Sequence, residues 1–109
     1  MSSATERTLG RLRKEGYTVS IVEKWVPQAR RRIDAFGIID ILAIRPGETV
    51  GVQSTTYSNV SAHIKKAREH ENLEKWLAAG NRFVIYGWRK GVRGVRACRI
   101  VELETEGAK

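Results

Sequence analysis

An acid, Asp40, interrupts the apolar run Phe36-Gly-Ile-Ile-Asp-Ile-Leu-Ala-Ile44, and Gln53-Ser-Thr55 closes the apolar run that follows it. A carboxylate buried in such a run is costly unless a partner compensates it. Between the two runs, Arg45-Pro-Gly-Glu48 carries Pro and Gly at the second and third positions of a reverse turn. The runs are therefore predicted to be the two strands of a hairpin, with Asp40 and Gln53 on neighbouring strands. An Asp on one strand and a Gln-x-Thr triplet at the end of the next can aim oxygens at a divalent cation such as Mg²⁺. A metal so held polarises a phosphodiester and activates water, which is the chemistry of nucleases. The alternative for Asp40 is an ion pair with one of Arg30, Arg31 or Arg32, which needs no metal.

Other elements must position this hairpin. Residues 3–15 mix helix formers with Leu9 and Leu12 three apart and Gly16 as a stop, predicting a short amphipathic helix. Residues 17–26 alternate Tyr17, Val19 and Ile21 with Thr18 and Ser20, predicting one strand that Pro27 ends. The segment 27–37 has neither period and reads as a mobile loop. After the hairpin, residues 58–79 form a single long helix with Ser58 or Ser61 as N-cap, its period stumbling near His70. Residues 82–90 and 95–103 are two further strands around a Gly91–Gly94 turn. The element order is α-β-β-β-α-β-β, an α/β class, and the acidic tail 104–109 reads as frayed.

A length of 109 residues suits one domain spanning 1–109. Its apolar runs are strand-length, and no signal pattern follows Met1, so the expectation is a soluble intracellular protein with no membrane partner. One Cys and two His exclude zinc-finger spacing, leaving oxygen ligands for any metal. Twenty Lys and Arg against twelve Asp and Glu give a net charge of +8, which suits a polyanion such as DNA or merely a solubilising surface.

Three local stretches together resemble the PD-(D/E)xK nuclease superfamily, and within it the archaeal-type Holliday junction resolvases. Thr5-Glu-Arg-Thr-Leu-Gly-Arg-Leu-Arg-Lys-Glu-Gly-Tyr17 is similar to that family's first helix. Gly37-Ile-Ile-Asp-Ile-Leu-Ala43 is similar to its Asp-bearing strand, and Val52-Gln-Ser-Thr55 falls where its Glu-x-Lys triplet belongs. The resemblance spans roughly residues 3 to 88 and implies a restriction-endonuclease-like fold, a mixed central sheet flanked by helices. It implies further that Glu6, Asp40 and the Gln53 carbonyl hold Mg²⁺ or Mn²⁺, with Thr55 orienting the attacking water. A homodimer acting on branched DNA is implied too.

Two departures from the pattern matter. Gln53 is neutral where the family has a carboxylate, which weakens a hard-cation site. Thr55 offers only hydrogen bonds where the family has a Lys beside the scissile phosphate. Lys65 or Lys66, on the following helix, could supply that charge. The alternative function is thus a catalytically degenerate domain of the same fold that binds nucleic acid without cleaving it.

For DNA binding the candidates are Arg30, Arg31 and Arg32 in the loop, Lys65 and Arg68 on one helix face, and Arg89, Lys90 and Arg93 in the last hairpin. Each competes with plain solvation. Glu6 is equally explained as an acid near a helix N-terminus. Glu23 could reach the same cleft from the first strand, with a surface position the preferred reading; His63 and His70 read as helix-surface residues, Trp25 and Trp88 as packing or base-stacking residues, and Trp76 as core.

Overall fold

The computed structural model describes residues 3–105. In chain order its elements are helix α1 (Ala4–Lys14), strands β1 (Thr18–Ile21), β2 (Lys24–Val26), β3 (Arg31–Ile33), β4 (Ile41–Arg45) and β5 (Glu48–Thr56), helices α2 (Val60–Glu69) and α3 (Glu71–Ala78), and strands β6 (Arg82–Trp88) and β7 (Cys98–Leu103). Short 3-10 turns precede α2 and β7. Strands β1-β4-β5-β6-β7 form one mixed sheet in that order, with β5 and β6 parallel and the other pairs antiparallel. The parallel pair requires a crossover, and α2 and α3 provide it.

Alternation along the central strands splits the core between two faces. Val50 and Val52 of β5, with Ile41, Ala43, Val84 and Tyr86, pack beneath Leu9 and Leu12 of α1. On the other face Phe83 and Ile85 meet Val60, Ala67 and Leu73 of α2 and α3, together with Ile38 and Ile39. Since side chains alternate, Gln53 and Thr55 lie on the α2–α3 face and Ser54 on the α1 face. The central α/β organisation and the hairpin turn at Pro46-Gly47 match the sequence expectation, and Gly47 takes the φ of +78° that such a turn demands.

One buried hydroxyl locks α1 to the sheet. Thr8 Oγ1 lies 2.9 Å from the Ala4 carbonyl, 2.8 Å from Ser54 Oγ, and accepts the Trp88 indole N–H at 2.8 Å. The Trp88 N–H is therefore committed to this bond, and the Arg7 guanidinium lies 4.5 Å over the indole ring. Thr8→Val keeps the shape and removes the partner of two partly buried groups, which is expected to cost about 2 kcal/mol in a urea titration.

The structure corrects four expectations. The strand expected over 17–26 breaks after Ile21, because Val22 and Glu23 both donate their backbone N–H to the Asp40 carbonyl, at 2.9 and 3.2 Å. Two donors on one carbonyl make a bulge, which bends the chain out of the sheet. The segment expected to be a loop contains β3, which pairs with β2 as a separate two-stranded ribbon carrying Arg31 and Arg32. The long helix is two helices, since His70 is extended (φ −84°, ψ 132°) and its Nδ1 accepts the Asn72 N–H to cap α3. Strand β7 also starts later than expected, at Cys98, after the turn over Val95–Ala97. Of the tail expected to fray, residues 106–109 lie outside the described residues. Among the described residues no helix is long and apolar enough to cross a membrane.

Candidate active-site cleft

Asp40 lies one residue before β4, its N–H bonded to the Val52 carbonyl at 2.9 Å, so it neighbours Gln53 as the hairpin predicts. It opens into a cleft of 320 Å³ between the sheet and α2. Glu23, Asp34, Asp40, Gln53, Thr55, His63, Lys66 and His70 all line that cleft. Each arrives by a local device. The bulge after β1 brings Glu23. Asp34 begins an Asp-Ala-Phe-Gly turn in which its carboxylate faces its own backbone N–H and that of Gly37. Helix α2 supplies His63 and Lys66, and the break that ends it supplies His70.

Two glycines let these pieces close together. Gly37 has φ +79°, and a Cβ there would sit 2.5 Å from His70 Nε2. Gly87 of β6 lies under Val60, and a Cβ there would come within 2.1 Å of Val60 Cγ2. The first residue of α2 thus rests directly on β6, which fixes the helix carrying His63 and Lys66.

The cleft holds Asp40 in an unfavourable charge state. Burial, and then the Glu23 carboxylate, push the Asp40 carboxyl up to about 7, against an ordinary value of 3.8. Among the described residues the Ser54 N–H, at 3.4 Å, favours its ionised form by a hydrogen bond. Among the described residues no Lys or Arg forms an ion pair with Asp40; the arginine that reaches this region, Arg32, pairs with Glu23 at 3.4 Å. The ion-pair alternative for Asp40 is therefore not what the fold builds. Burial also raises Asp34, so acidic groups crowd where nothing cationic neutralises Asp40 directly.

Other expected site residues are placed differently. Glu6 does not line the cleft: it is exposed and closes a capping box, receiving the Ser3 N–H at 3.1 Å while the Ser3 hydroxyl receives the Glu6 N–H. Gln53 is nine-tenths buried and both ends of its amide are engaged, Nε2 with the Ile38 carbonyl at 2.8 Å and Oε1 with His63 Nδ1 at 2.9 Å. One lone pair of its carbonyl oxygen is thus already committed to His63. Thr55 is buried and lines the cleft as expected. Of the two lysines, Lys66 and not Lys65 reaches the lining.

The cationic candidates fall into two exposed groups. Arg30, Arg31 and Arg32 sit on the β2–β3 ribbon, where Trp25 pairs with Arg32 in register and is 55% exposed. Arg89 and Lys90 line a concavity of 410 Å³ with Thr56, Tyr57, Ser58 and Trp88, the Arg89 guanidinium lying 4.0 Å over the Tyr57 ring. Arg93 is exposed in the adjoining turn. Thr55 and Thr56 open onto the two hollows in turn, so both lie at the carboxyl end of β5. Lys65 is exposed on α2, but Arg68 is tied down, donating to the Glu104 carbonyl at 2.7 Å and lying 3.9 Å from Glu74.

Sequence reasoning missed Asp34 altogether, although its Asp-x-x-Gly spacing was a usable turn signal. Glu23, His63 and His70 were expected on the surface, and the fold moves all three into the cleft. Comparison of the chain with protein-family models, with curated proteins and with solved structures gives no match.

Proposed function

We propose that this chain is a metal-dependent endonuclease-like protein of the restriction-endonuclease-like fold, acting on DNA, and on branched DNA in particular. The observation that carries the reading is the convergence of Asp40 and Glu23 with Lys66 in one cleft at the carboxyl end of β5. A carboxyl that burial, and then the Glu23 charge, hold at about 7 is relieved by a divalent cation. The donor set fits one: its acids are hard oxygen ligands of the kind Mg²⁺ or Mn²⁺ prefers. Among the described residues no three acidic, imidazole or thiol groups are gathered so as to hold a metal ion by themselves, so water and a substrate phosphate would have to supply most of its shell.

Asp40 and Glu23 would hold the ion, and when bound it supplies Lewis-acid polarisation of a phosphodiester. The remaining work falls to the chain. Lys66 offers the positive charge that Thr55 lacks, facing the charge that builds on a phosphate during attack. The ribbon arginines and Arg89, Lys90 and Arg93 bind the flanking phosphates and orient the strand. Trp25 supplies an exposed face on which an unpaired base can stack.

The engaged amide of Gln53 favours a second reading, a domain that binds nucleic acid without cleaving it. One experiment separates the two. Four-way junction, duplex and single-stranded DNA are incubated with the protein, with and without Mg²⁺ or Mn²⁺. Metal-dependent cleavage, strongest on the junction and reduced at least 100-fold by Lys66→Met, is expected. Intact DNA in every arm, with binding that weakens steeply as salt rises, would instead establish the binding reading. A homodimer belongs to the same proposal, and sedimentation equilibrium is expected to return twice the chain mass.

A further inference from the structure

The bond between Gln53 and His63 defines a chemical state that neither the fold class nor the metal requires. A backbone carbonyl only accepts hydrogen bonds, so the group 2.8 Å from the Ile38 oxygen must be the amide nitrogen of Gln53. Its amide oxygen therefore faces His63 Nδ1 at 2.9 Å. That oxygen also only accepts, so Nδ1 must carry the hydrogen. Burial, followed by the charge of Lys66, holds the His63 pKa below its ordinary value, favouring the neutral ring. A neutral imidazole protonated at Nδ1 has a free lone pair at Nε2.

Among the described residues Nε2 has no protein partner, and no buried side-chain nitrogen or oxygen is left unpaired. Nε2 is thus open to solvent, on a residue that lines the cleft. The titratable groups sharing that space are Glu23, Asp34, Asp40, Lys66 and His70. Of these, His70 already spends its Nδ1 lone pair on the Asn72 N–H, so it does not offer a second base through that atom.

We propose that Gln53 is a positioning residue that fixes His63 in the Nδ1–H tautomer, so that His63 Nε2 is the proton acceptor for the attacking water in this cleft. The base role rests on the nuclease reading above; the tautomer does not. In the step, the water oxygen forms the new bond to phosphorus and its proton passes to His63 Nε2. The bond from phosphorus to the departing sugar oxygen breaks with its electron pair, and that oxygen takes a proton from solvent. His63 then returns its proton to solvent. Gln53 thereby has a function in its own right, in place of the carboxylate the resemblance would put there.

The test is made on the full-length chain labelled with ¹⁵N. Long-range proton–nitrogen spectra of His63 near pH 7 are expected to show Nδ1 protonated and Nε2 bare. In Gln53→Leu, which removes the acceptor, the Nε2–H form is expected to gain at least tenfold relative to the Nδ1–H form. A parent spectrum dominated by Nε2–H, or one unchanged by Gln53→Leu, overturns the positioning role. For the base role, His63→Ala is expected to lower kcat at least 100-fold with KM little changed and to remove the His63 ionisation from the acidic limb of the pH–rate profile, leaving that of Asp40. An unchanged profile overturns it. If the parent protein cleaves no DNA, the nuclease reading and the base role both fall, while the spectra still decide what Gln53 does.

Discussion

Asp40→Asn is expected to make the protein more stable at pH 8 by about 2–4 kcal/mol while removing the proposed metal-dependent cleavage. The sign follows from linkage. The folded-state value for Asp40, about 7, lies above the ordinary 3.8, so between those two pH values the folded chain retains a proton that the unfolded chain has released. Stability therefore falls as pH rises through that window, and the full cost is present above about pH 7. The shift corresponds to about 4 kcal/mol at 1.36 kcal/mol per pH unit, and water entering the open cleft reduces it. Asn keeps an oxygen for the Ser54 N–H but carries no charge, so its stability should be nearly flat across the same window. Urea titrations at pH 4.5 and pH 8 check this: a parent protein no less stable at pH 8 relative to the variant would mean that Asp40 is not the crowded acid described here. Mg²⁺ should recover part of the same stability in the parent at pH 8 and none in the variant.

The second large effect is mechanical. Gly87→Ala places a methyl group 2.1 Å from Val60 Cγ2, with the Thr56 carbonyl oxygen and the Tyr57 Cα at 3.2 and 3.3 Å closing off escape. Overfilling a packed site in this way costs about 3 kcal/mol. Because Val60 is the first residue of α2, the strain lifts the helix that carries His63 and Lys66. Val60→Ala alone also destabilises, by leaving a cavity, yet in the double variant the two changes should offset each other by about 1–2 kcal/mol. Additive losses in a double-mutant cycle would show that the helix start does not rest on Gly87. Loss of cleavage in Gly87→Ala with partial return in the double variant would tie that contact to the site.

The parts of the fold that follow from local rules were legible in the sequence. Pro46-Gly47 and the apolar runs beside it predict the hairpin, and that hairpin alone puts Asp40 next to Gln53. The stop at Gly16 and the stumble near His70 mark real helix ends. What was not legible depends on partners far away in the chain. Alternation over 17–26 continues through the bulge, so no pattern shows that Val22 and Glu23 share the Asp40 carbonyl. The segment 27–37 lacks a period because β3 is a short exposed strand whose ladder, among the described residues, is with β2 alone.

The site divides in the same way. Asp40 stood out because a carboxylate interrupts an apolar run, and it lines the cleft just before β4 begins. Glu6 misled, because an acid at the third position of a helix serves capping as well as catalysis, and here Ser3 takes it. The role of Gln53 could not be read from Gln-x-Thr, since it depends on the Ile38 carbonyl and on His63, the latter brought in by a different helix. Lys66 entered the cleft instead of Lys65 through the angular phase of α2, which single-residue spacing does not fix without knowing which face packs.

The central claim is that the acids of this cleft gather a divalent cation for phosphodiester hydrolysis. A titration with Mn²⁺ at pH 8, followed through the backbone amide signals of the ¹⁵N-labelled chain, tests it most directly. Saturable broadening is expected first at Glu23, Asp40 and Ser54, competed by excess Mg²⁺ and lost in Asp40→Asn. Broadening that never saturates, or that persists unchanged in Asp40→Asn, would contradict the claim.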